Sequence, residues 1–302
     1  MSLIALGTVA LDHLITPKGK QEKLLGGSGS HFAVCARHFT KVHLVSVVGK
    51  DFPSKHMRLF QTKGIDTTSV IERDGRTFAW TGEYKKEDLN TAITHTTTLG
   101  VIENYYPQIA YEQRHIPNVF LANFDPDVQM NFLMLFKNPK FVGMDTMNLW
   151  IDIKNKAVRR LMKKVHLFVV NDGEARMLTE ETNLHKAAKA LSRMGPAMVV
   201  IKKGENGVVF YSKQHHFAFS AFPVENVIDP TGAGDSFAGG LMGYLSKKGK
   251  ITQKALHQAI LYAQALSSYN VEGFGMAKTA PLTLGKVNAR MKDLKKHIMP
   301  VT

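Results

Sequence analysis

Short apolar runs that alternate with stretches of helical periodicity constrain the fold of this chain more than any other feature. The runs that read as buried strands are residues 3–8, 43–49, 118–123, 140–145 and 166–170. Helical patterns lie between them, as at residues 54–63, where Gly64 stands just past the last turn. Strands that alternate with helices predict a mainly parallel central sheet covered on both faces, which is a three-layer α/β/α fold.

A glycine-rich turn opens a helix late in the chain. Gly232, Ala233 and Gly234 lead directly into Asp235, and apolar residues then recur at helical spacing. The first amides of a helix lack partners within it and lie at the positive end of its dipole, so small residues leave them open to an anion. A carboxylate at that place could take the proton of a hydroxyl that attacks a phosphate. The turn therefore suggests phosphoryl transfer to an alcohol, although Asp235 taken alone could equally be a helix cap.

Three more features carry weaker signals. Asp12 follows just beyond the first predicted strand, where parallel sheets bind ligands, although an aspartate there can also simply form a turn. Gly26 and Gly27 open a helical stretch and could serve as a plain turn or as a hinge beside a ligand. Asn171 and Glu174 have the spacing of a capping box, which explains them on structural grounds alone.

Together these features resemble the ribokinase-like, or PfkB-type, carbohydrate kinases. The string DPTGAGDSFAGG at residues 229–240 resembles that family's carboxy-terminal signature, and the Gly26-Gly27 pair with its helix resembles the amino-terminal one. The resemblance covers nearly the whole chain and implies a ribokinase-like fold with Asp235 as catalytic base. It also implies that the amides from Gly232 to Asp235 form the anion hole for the transferred phosphoryl group.

The same resemblance implies which residues bind the acceptor and where this chain departs from the family. Asp12, Gly26 and Gly27 would hold substrate hydroxyls, with His31 at the place where many members carry an asparagine. Leu149 stands where arginine is usual in the segment that follows Asp145. These departures warn against transferring the specificity of ribokinase or adenosine kinase to this chain.

Residues for ATP and for ions are implied by resemblance as well. The residues that would border ATP are Lys203, Gly204, Gly207, Thr231 and Gly275. Asn171 and Glu174 would form the Mg²⁺ environment, partly through water, since Mg²⁺ keeps much of its hydration and needs few carboxylates. Asp229 and Thr231 would form a site for a monovalent cation, with K⁺ as the candidate.

One stretch has the pattern of exposed antiparallel strands. Residues 76–84 alternate polar and apolar side chains, and residues 91–99 are rich in β-branched residues. The resemblance implies a small β-sheet lid, which we assign to residues 12–25 and 72–103 within a single domain of residues 1–302. Phe78, Trp80 and Tyr84 fall on one face by alternation, where they could line a pocket, pack on the main domain or form a homodimer contact.

Composition limits the other function classes. Lysine and arginine outnumber acidic residues by 39 to 25, but they lie in short scattered clusters, which disfavours nucleic-acid binding. Cys35 is the only cysteine, so an intramolecular disulfide is impossible. Neither a signal peptide nor an apolar stretch of membrane-spanning length is evident, which predicts a cytoplasmic protein with no membrane association.

The sequence thus favours an ATP-dependent kinase that acts on a hydroxymethyl group of a small-molecule sugar or nucleoside. The alternative is a regulatory protein that binds sugars or nucleotides with the same fold but without catalysis. Intact Asp235 and Glu174 argue against that alternative. The choice between sugar and nucleoside is left open by the sequence.

Overall fold

The structure, a computed structural model, describes residues 1–298. The strands of that part of the chain are β1 (Ser2–Leu6), β2 (Ala10–Thr16), β3 (Gly19–Gly26), β4 (Lys41–Gly49), β5 (Asp66–Arg73), β6 (Ala79–Lys85), β7 (Asp88–Thr98), β8 (Asn118–Leu121), β9 (Phe141–Asp145), β10 (Leu167–Asn171), β11 (Met198–Lys202), β12 (Val208–Ser212) and β13 (His216–Phe219). The helices are α1 (Ser28–Ala36), α2 (Ser54–Thr62), α3 (Pro126–Leu133), α4 (Asn148–Ile153), α5 (Asn155–Met162), α6 (Asp172–Thr179), α7 (Leu184–Arg193), α8 (Ala233–Lys248), α9 (Gln253–Asn270) and α10 (Leu284–Ile298).

Nine strands of residues 1–298 form one large sheet in the order β5-β4-β1-β8-β9-β10-β11-β12-β13. Neighbouring strands from β5 to β11 are parallel, whereas β12 and β13 at one edge are antiparallel. The five runs read as buried strands all appear in this sheet, and the fold is the predicted three-layer α/β/α arrangement. No helix in residues 1–298 is both long and apolar enough to cross a membrane.

The large sheet separates two apolar cores. Successive side chains of a strand point to opposite faces, so Leu3 and Ala5 of β1 enter one core while Ile4 and Leu6 enter the other. The first core packs against α1, α8 and α9, and the second against α3, α5, α6 and α7. All four of these β1 side chains are fully buried, as expected for a central parallel strand.

A second sheet of four strands has the order β3-β2-β6-β7. It draws on residues 10–26 and 79–98, a narrower stretch than the 72–103 expected, because Glu72 and Arg73 pair with β4 in the large sheet. Residues 100–102 form a 3₁₀ turn instead of a strand. Strand β7 is largely exposed, which agrees with its polar, threonine-rich sequence.

The first strand is shorter than the apolar run of residues 3–8 indicated. Strand β1 ends at Leu6, and Asp12, just beyond it, lies inside β2 of the small sheet, in the stretch 12–25 that was assigned to a small sheet. Gly7 follows β1 directly and packs on α1, where a Cβ would lie 2.5 Å from the backbone of Gly29. Asp12 therefore reaches the edge of the large sheet from the small one.

Candidate active site

Helix α8 begins at a loop that requires glycine. Gly232 has φ +74°, in the left-handed region, and a Cβ there would overlap the imidazole ring of His31. The Gly232 carbonyl accepts a hydrogen bond from the N–H of Ser236 at 2.8 Å, which closes the first turn of the helix. Asp235 lies in that turn and is partly exposed. The residues predicted for the anion hole and the predicted base thus share one helical turn.

Asp12, Gly26 and Gly27 form a compact unit beside this loop. The Asp12 carboxylate, only 4% exposed, packs so closely over Gly26 that a Cβ on Gly26 would overlap it. The N–H of Gly27 donates to that carboxylate. Burial raises the pKa of Asp12 to about 7, and the charges of Asp229 and Asp235 act in the same direction. The three residues predicted to bind the acceptor are therefore adjacent, and they feel the charge of the predicted base.

His31 lies behind the glycine loop and is 2% exposed. The side-chain N–H of Asn270 donates to the Thr231 carbonyl at 2.7 Å, which leaves its Oδ1 to accept from Ser236 Oγ at 2.9 Å and from His31 Nδ1 at 3.0 Å. Nδ1 therefore carries the proton, and Nε2 is a buried acceptor without a partner among residues 1–298. Burial lowers the pKa of His31, which keeps the ring neutral.

The electrostatics of Asp235 depend on this arrangement. Burial raises the pKa of Asp235, while the positive charge of Lys202 lowers it, as would that of His31 if its ring were protonated. The carboxylate also accepts its own backbone N–H, which lowers the pKa further. The group is thus shifted toward neutral pH but still has partners that stabilise its ionised form.

Asn171 and Glu174 form the predicted capping box at the start of α6. The N–H of Glu174 donates to Asn171 Oδ1, and the N–H of Asn171 donates to Glu174 Oε2, each at 2.7 Å. Glu174 is 7% exposed, and burial raises its pKa to about 7. Nearby, Asp145 is buried and its Oδ1 has no hydrogen-bond partner within residues 1–298.

A hydrated divalent cation fits this place. Buried carboxylates are stable as anions only with a partner, and burial raises the pKa of Asp145 well above its usual range. Residues 1–298 contain no cluster of three or more His, Cys, Asp or Glu side chains arranged to hold a metal ion. Two carboxylates plus water match Mg²⁺, which is usually bound by few protein ligands.

Asp229 connects the loop that precedes α8 to the loop around Gly275. Its carboxylate oxygens accept the N–H of Thr231 at 2.9 Å and the N–H of Gly275 at 2.8 Å. The hydroxyl groups of Thr231 and Tyr84 are 3.4 Å apart, which links this loop to β6 of the small sheet. A Cβ on Gly275 would lie 3.4 Å from the Leu25 carbonyl of β3. Thr231, Asp229 and Gly275 therefore form a single junction between α8 and the small sheet.

The segment from Lys203 to Gly207 closes the β11–β12 hairpin. Gly207 has φ +85°, and a Cβ there would overlap the backbone of β13. The backbone conformation and the packing therefore explain why this position is a glycine. The turn also contacts the small sheet, because Asn90 Nδ2 donates to Glu205 Oε2 at 2.8 Å. A Cβ on Gly204 would overlap the same Asn90 side chain. The segment predicted to border ATP is thus in contact with β7.

Four residues used to build this site were not predicted as site residues, namely Asp145, Lys202, Asn270 and Asn90. Asp145 ends a predicted strand, as Lys202 does. Lys202 ends a buried strand at the carboxyl edge of the large sheet, which is the signal that selected Asp12 and would have found it. Asn270 ends α9 and Asn90 lies in exposed β7, and neither position has a local pattern that indicates a role. Leu149, at the arginine position of the family, is exposed in α4.

The chain is similar to known kinases along almost its whole length. Residues 7–282 match the model of the pfkB family carbohydrate kinases. A cytidine kinase from Thermococcus kodakarensis is 30% identical over 252 residues, covering 81% of this chain and 88% of that protein.

Solved structures give the same fold. A nucleoside kinase from Burkholderia thailandensis in complex with inosine superposes with a TM-score of 0.80 at 18% identity, covering 99% of this chain and 100% of that chain. A putative ribokinase II from E. coli in complex with ATP and Mg²⁺ superposes with a TM-score of 0.79 at 18% identity, covering 97% of this chain and 99% of that chain. The chain therefore belongs to the pfkB family of carbohydrate kinases, as an ATP-dependent kinase of the sugar and nucleoside class.

Proposed function

We propose that this kinase transfers the γ-phosphoryl group of MgATP to a hydroxymethyl group of a nucleoside, with Asp235 as the catalytic base. The position of Asp235 carries the proposal. It lies in the first turn of α8, directly after the glycine loop, and its charge acts on the buried Asp12. A hydroxyl held at Asp12 would therefore lie close to both a base and the open amides of a helix start.

The reaction follows from these groups. The hydroxyl oxygen of the acceptor attacks the γ-phosphorus, its proton passes to the Asp235 carboxylate, and the bond from the γ-phosphorus to the β–γ bridging oxygen breaks. ADP leaves with that electron pair. Of the four amides predicted for the anion hole, that of Ala233 donates to the Pro230 carbonyl at 3.1 Å and that of Asp235 to its own carboxylate. The N–H groups of Gly232 and Gly234 would stabilise the charge on the transferred phosphoryl group. A raised pKa suits the base, since proton transfer is most effective when the base titrates near the working pH.

The two cations would bind at separate places, one near the start of α6 and one at the loop before α8. Glu174 and Asp145, with Asn171 as the partner that orients Glu174, would hold Mg²⁺ partly through water. When bound, Mg²⁺ neutralises charge on the phosphate oxygens. The junction of Asp229 and Thr231 would hold the monovalent cation. Lys203, Gly204, Gly207 and Gly275 would border ATP.

A nucleoside is the acceptor class that we favour. The relative at 30% identity is named a cytidine kinase, and one structural neighbour holds inosine. Asp12 and the Gly26-Gly27 backbone would bind the ribose hydroxyls, with His31 Nε2 as a further acceptor. The small sheet of residues 10–26 and 79–98 would act as a lid that excludes water, so that ATP is not hydrolysed. Its exposed strand β7 would be the place for contact with a second subunit.

The test is ADP release from MgATP with cytidine, other nucleosides, ribose, fructose and sugar phosphates. We expect one or more nucleosides to give acceptor-dependent ADP, and Asp235→Asn to reduce kcat by about 10³-fold. Circular dichroism should show that the variant is folded. Asp74→Asn, which removes an exposed carboxylate that pairs with Lys50 and has no contact with the residues assigned to the site, is the matched control. Activity within about fivefold of wild type in Asp235→Asn would remove Asp235 as the base.

A further inference from the structure

Lys202 places a positive charge at the glycine loop. It is the last residue of β11, and its Cα pairs with that of Asn171 at the end of β10. Along β11, Val200 enters the core on the α8 side of the large sheet while Ile201 enters the opposite core. Alternation therefore directs Lys202 toward α8.

The ammonium group reaches the backbone of the helix start. A Cβ on Gly234 would lie only 2.6 Å from Lys202 Nζ, so the amine occupies the space that any larger residue at 234 would need. Gly234 is the middle of the loop whose amides face an anion in the proposed reaction. Lys202 therefore contacts the glycine loop directly, although the two are about thirty residues apart in the sequence.

The positive charge of Lys202 acts on several carboxylates and is not paired with any one of them. Lys202 lies in no ion pair within residues 1–298, although its charge acts on three buried carboxylates, those of Asp145, Glu174 and Asp235. Burial raises the pKa of each of the three groups, and Lys202 lowers it in each case. A partly exposed ammonium with free donors beside a helix start is suited to bind a phosphate oxygen.

We infer that Lys202 is a further catalytic residue, which binds an oxygen of the γ-phosphoryl group as it passes from ATP to the acceptor. This inference rests on the proposed function. The step itself is unchanged: the acceptor oxygen bonds to the γ-phosphorus, the bond to the β–γ bridging oxygen breaks, and the proton goes to Asp235. Lys202 transfers no proton, and its charge offsets the negative charge that the group carries between the two oxygens.

Equilibrium binding isolates this contact without an acceptor. The probes are ADP and the non-hydrolysable analogue β,γ-methylene ATP, each with Mg²⁺, titrated by calorimetry. Wild type should bind the analogue more tightly than ADP, because only the analogue has a γ-phosphate. Lys202→Met should lose that preference by about 10- to 100-fold while its affinity for ADP changes little. Lys202→Arg should retain part of the preference.

Turnover gives the second readout. With the best acceptor, kcat of Lys202→Met should fall by about 10²-fold or more, whereas KM of the acceptor should stay near the wild-type value. Lys213→Met is the matched control, since Lys213 is exposed at the opposite end of the β11–β12 pair. It removes the same net charge and should match wild type in both experiments. If Lys202→Met does not fold, Lys202→Gln keeps a polar side chain of similar length.

The outcomes separate the two proposals. If wild type discriminates the analogue from ADP and the folded Lys202 variants do so equally well, the role of Lys202 is wrong while the kinase function stands. A loss of thermal stability without any change in nucleotide preference or kcat would make Lys202 a structural counter-ion and overturn the inference. If wild type binds neither nucleotide, the proposed function fails, and this inference fails with it.

Discussion

Strands β1 and β4 of the large sheet are buried along nearly their whole length, whereas β7 of the small sheet keeps most of its side chains in solvent. The groups that we assign to the transfer step, Asp235, Glu174 and Lys202, all lie on the large sheet or on helices packed against it. Asp12, on the acceptor side, lies in the small sheet. The chain thus places the reacting phosphate on the better packed region and the acceptor on the more exposed one.

Two polar side-chain contacts join the small sheet to loops at the edge of the large one. At one place Asn90 of β7 donates to Glu205 of the β11–β12 turn at 2.8 Å. At another, the Tyr84 hydroxyl lies 3.4 Å from that of Thr231. Breaking such contacts costs little free energy, because each exchanges readily for hydrogen bonds to water. We therefore expect the largest functional losses from changes on the large-sheet side and the smallest from changes in the lid.

The largest loss is expected from Gly232→Ala, a substitution in the glycine loop on the large-sheet side. Its φ of +74° and the His31 ring leave no room for a Cβ, so the loop must shift away from the phosphoryl group. We expect kcat to fall by about 10²- to 10³-fold. Gly64→Ala is the matched control, because Gly64 has φ +72° with nothing within 4 Å of a Cβ. Gly64→Ala should cost about 1–2 kcal/mol of unfolding free energy and leave kcat unchanged.

A smaller loss is expected at Asp12, where the readout is pH. Because its pKa is raised to about 7, Asp12 is a neutral acid below that pH and a carboxylate above it. Only the carboxylate can accept from two acceptor hydroxyls, so kcat/KM for the acceptor should rise as pH rises through about 7. Asp12→Asn should lower kcat/KM by about 10- to 100-fold.

In the Asp12→Asn variant, kcat/KM for the acceptor should no longer rise as pH increases through about 7. Profiles of kcat/KM against pH for wild type and variant measure this. The KM of MgATP should stay near its wild-type value in that variant, which serves as the internal control. An identical pH profile in wild type and Asp12→Asn would show that Asp12 does not carry the dependence.

The smallest effect is expected from Asn90→Ala, which removes the hydrogen bond between the lid and the β11–β12 turn. Steady-state kinetics should show KM values for MgATP and acceptor raised by about 2- to 10-fold, with kcat nearly unchanged. Thr94→Ala is the control, since Thr94 bonds Trp80 within the same sheet and does not reach the large one. A loss at Asn90 as large as that of Gly232→Ala would contradict the division between the two regions.

Most of the large sheet could be predicted from the sequence, because its strands are continuous apolar runs and their helices end at glycines. The helix start at Asp235 could also be predicted, because the whole string of residues 229–240 resembles the carboxy-terminal signature of the family, whereas the glycines and Asp235 alone are a weak signal. The end of the first strand was set too late, at residue 8 instead of Leu6, because the apolar run continues past the strand. The close approach of Gly7 to Gly29 is a contact between distant segments, which no local pattern reveals.

Contacts between distant segments limited the prediction of the site. The bond from His31 to Asn270 joins residues 239 positions apart, and it fixes which nitrogen of the ring carries a proton. The position of Lys202 at the end of its strand could have indicated a site residue. The family resemblance instead assigned the adjacent Lys203 to the ATP site. Polar partners of this kind are set by tertiary packing, so only the folded chain shows them.

The central claim is the transfer of phosphate from ATP to a nucleoside hydroxymethyl group, and phosphorus NMR of the full reaction tests it most directly. With MgATP and the preferred nucleoside, the account predicts a new phosphate monoester signal, coupled to two methylene protons, that grows in step with ADP. Signals of ADP and inorganic phosphate alone, at the same rate with and without a nucleoside, would contradict it. A monoester formed from ribose but from no nucleoside would keep the kinase and replace the acceptor class.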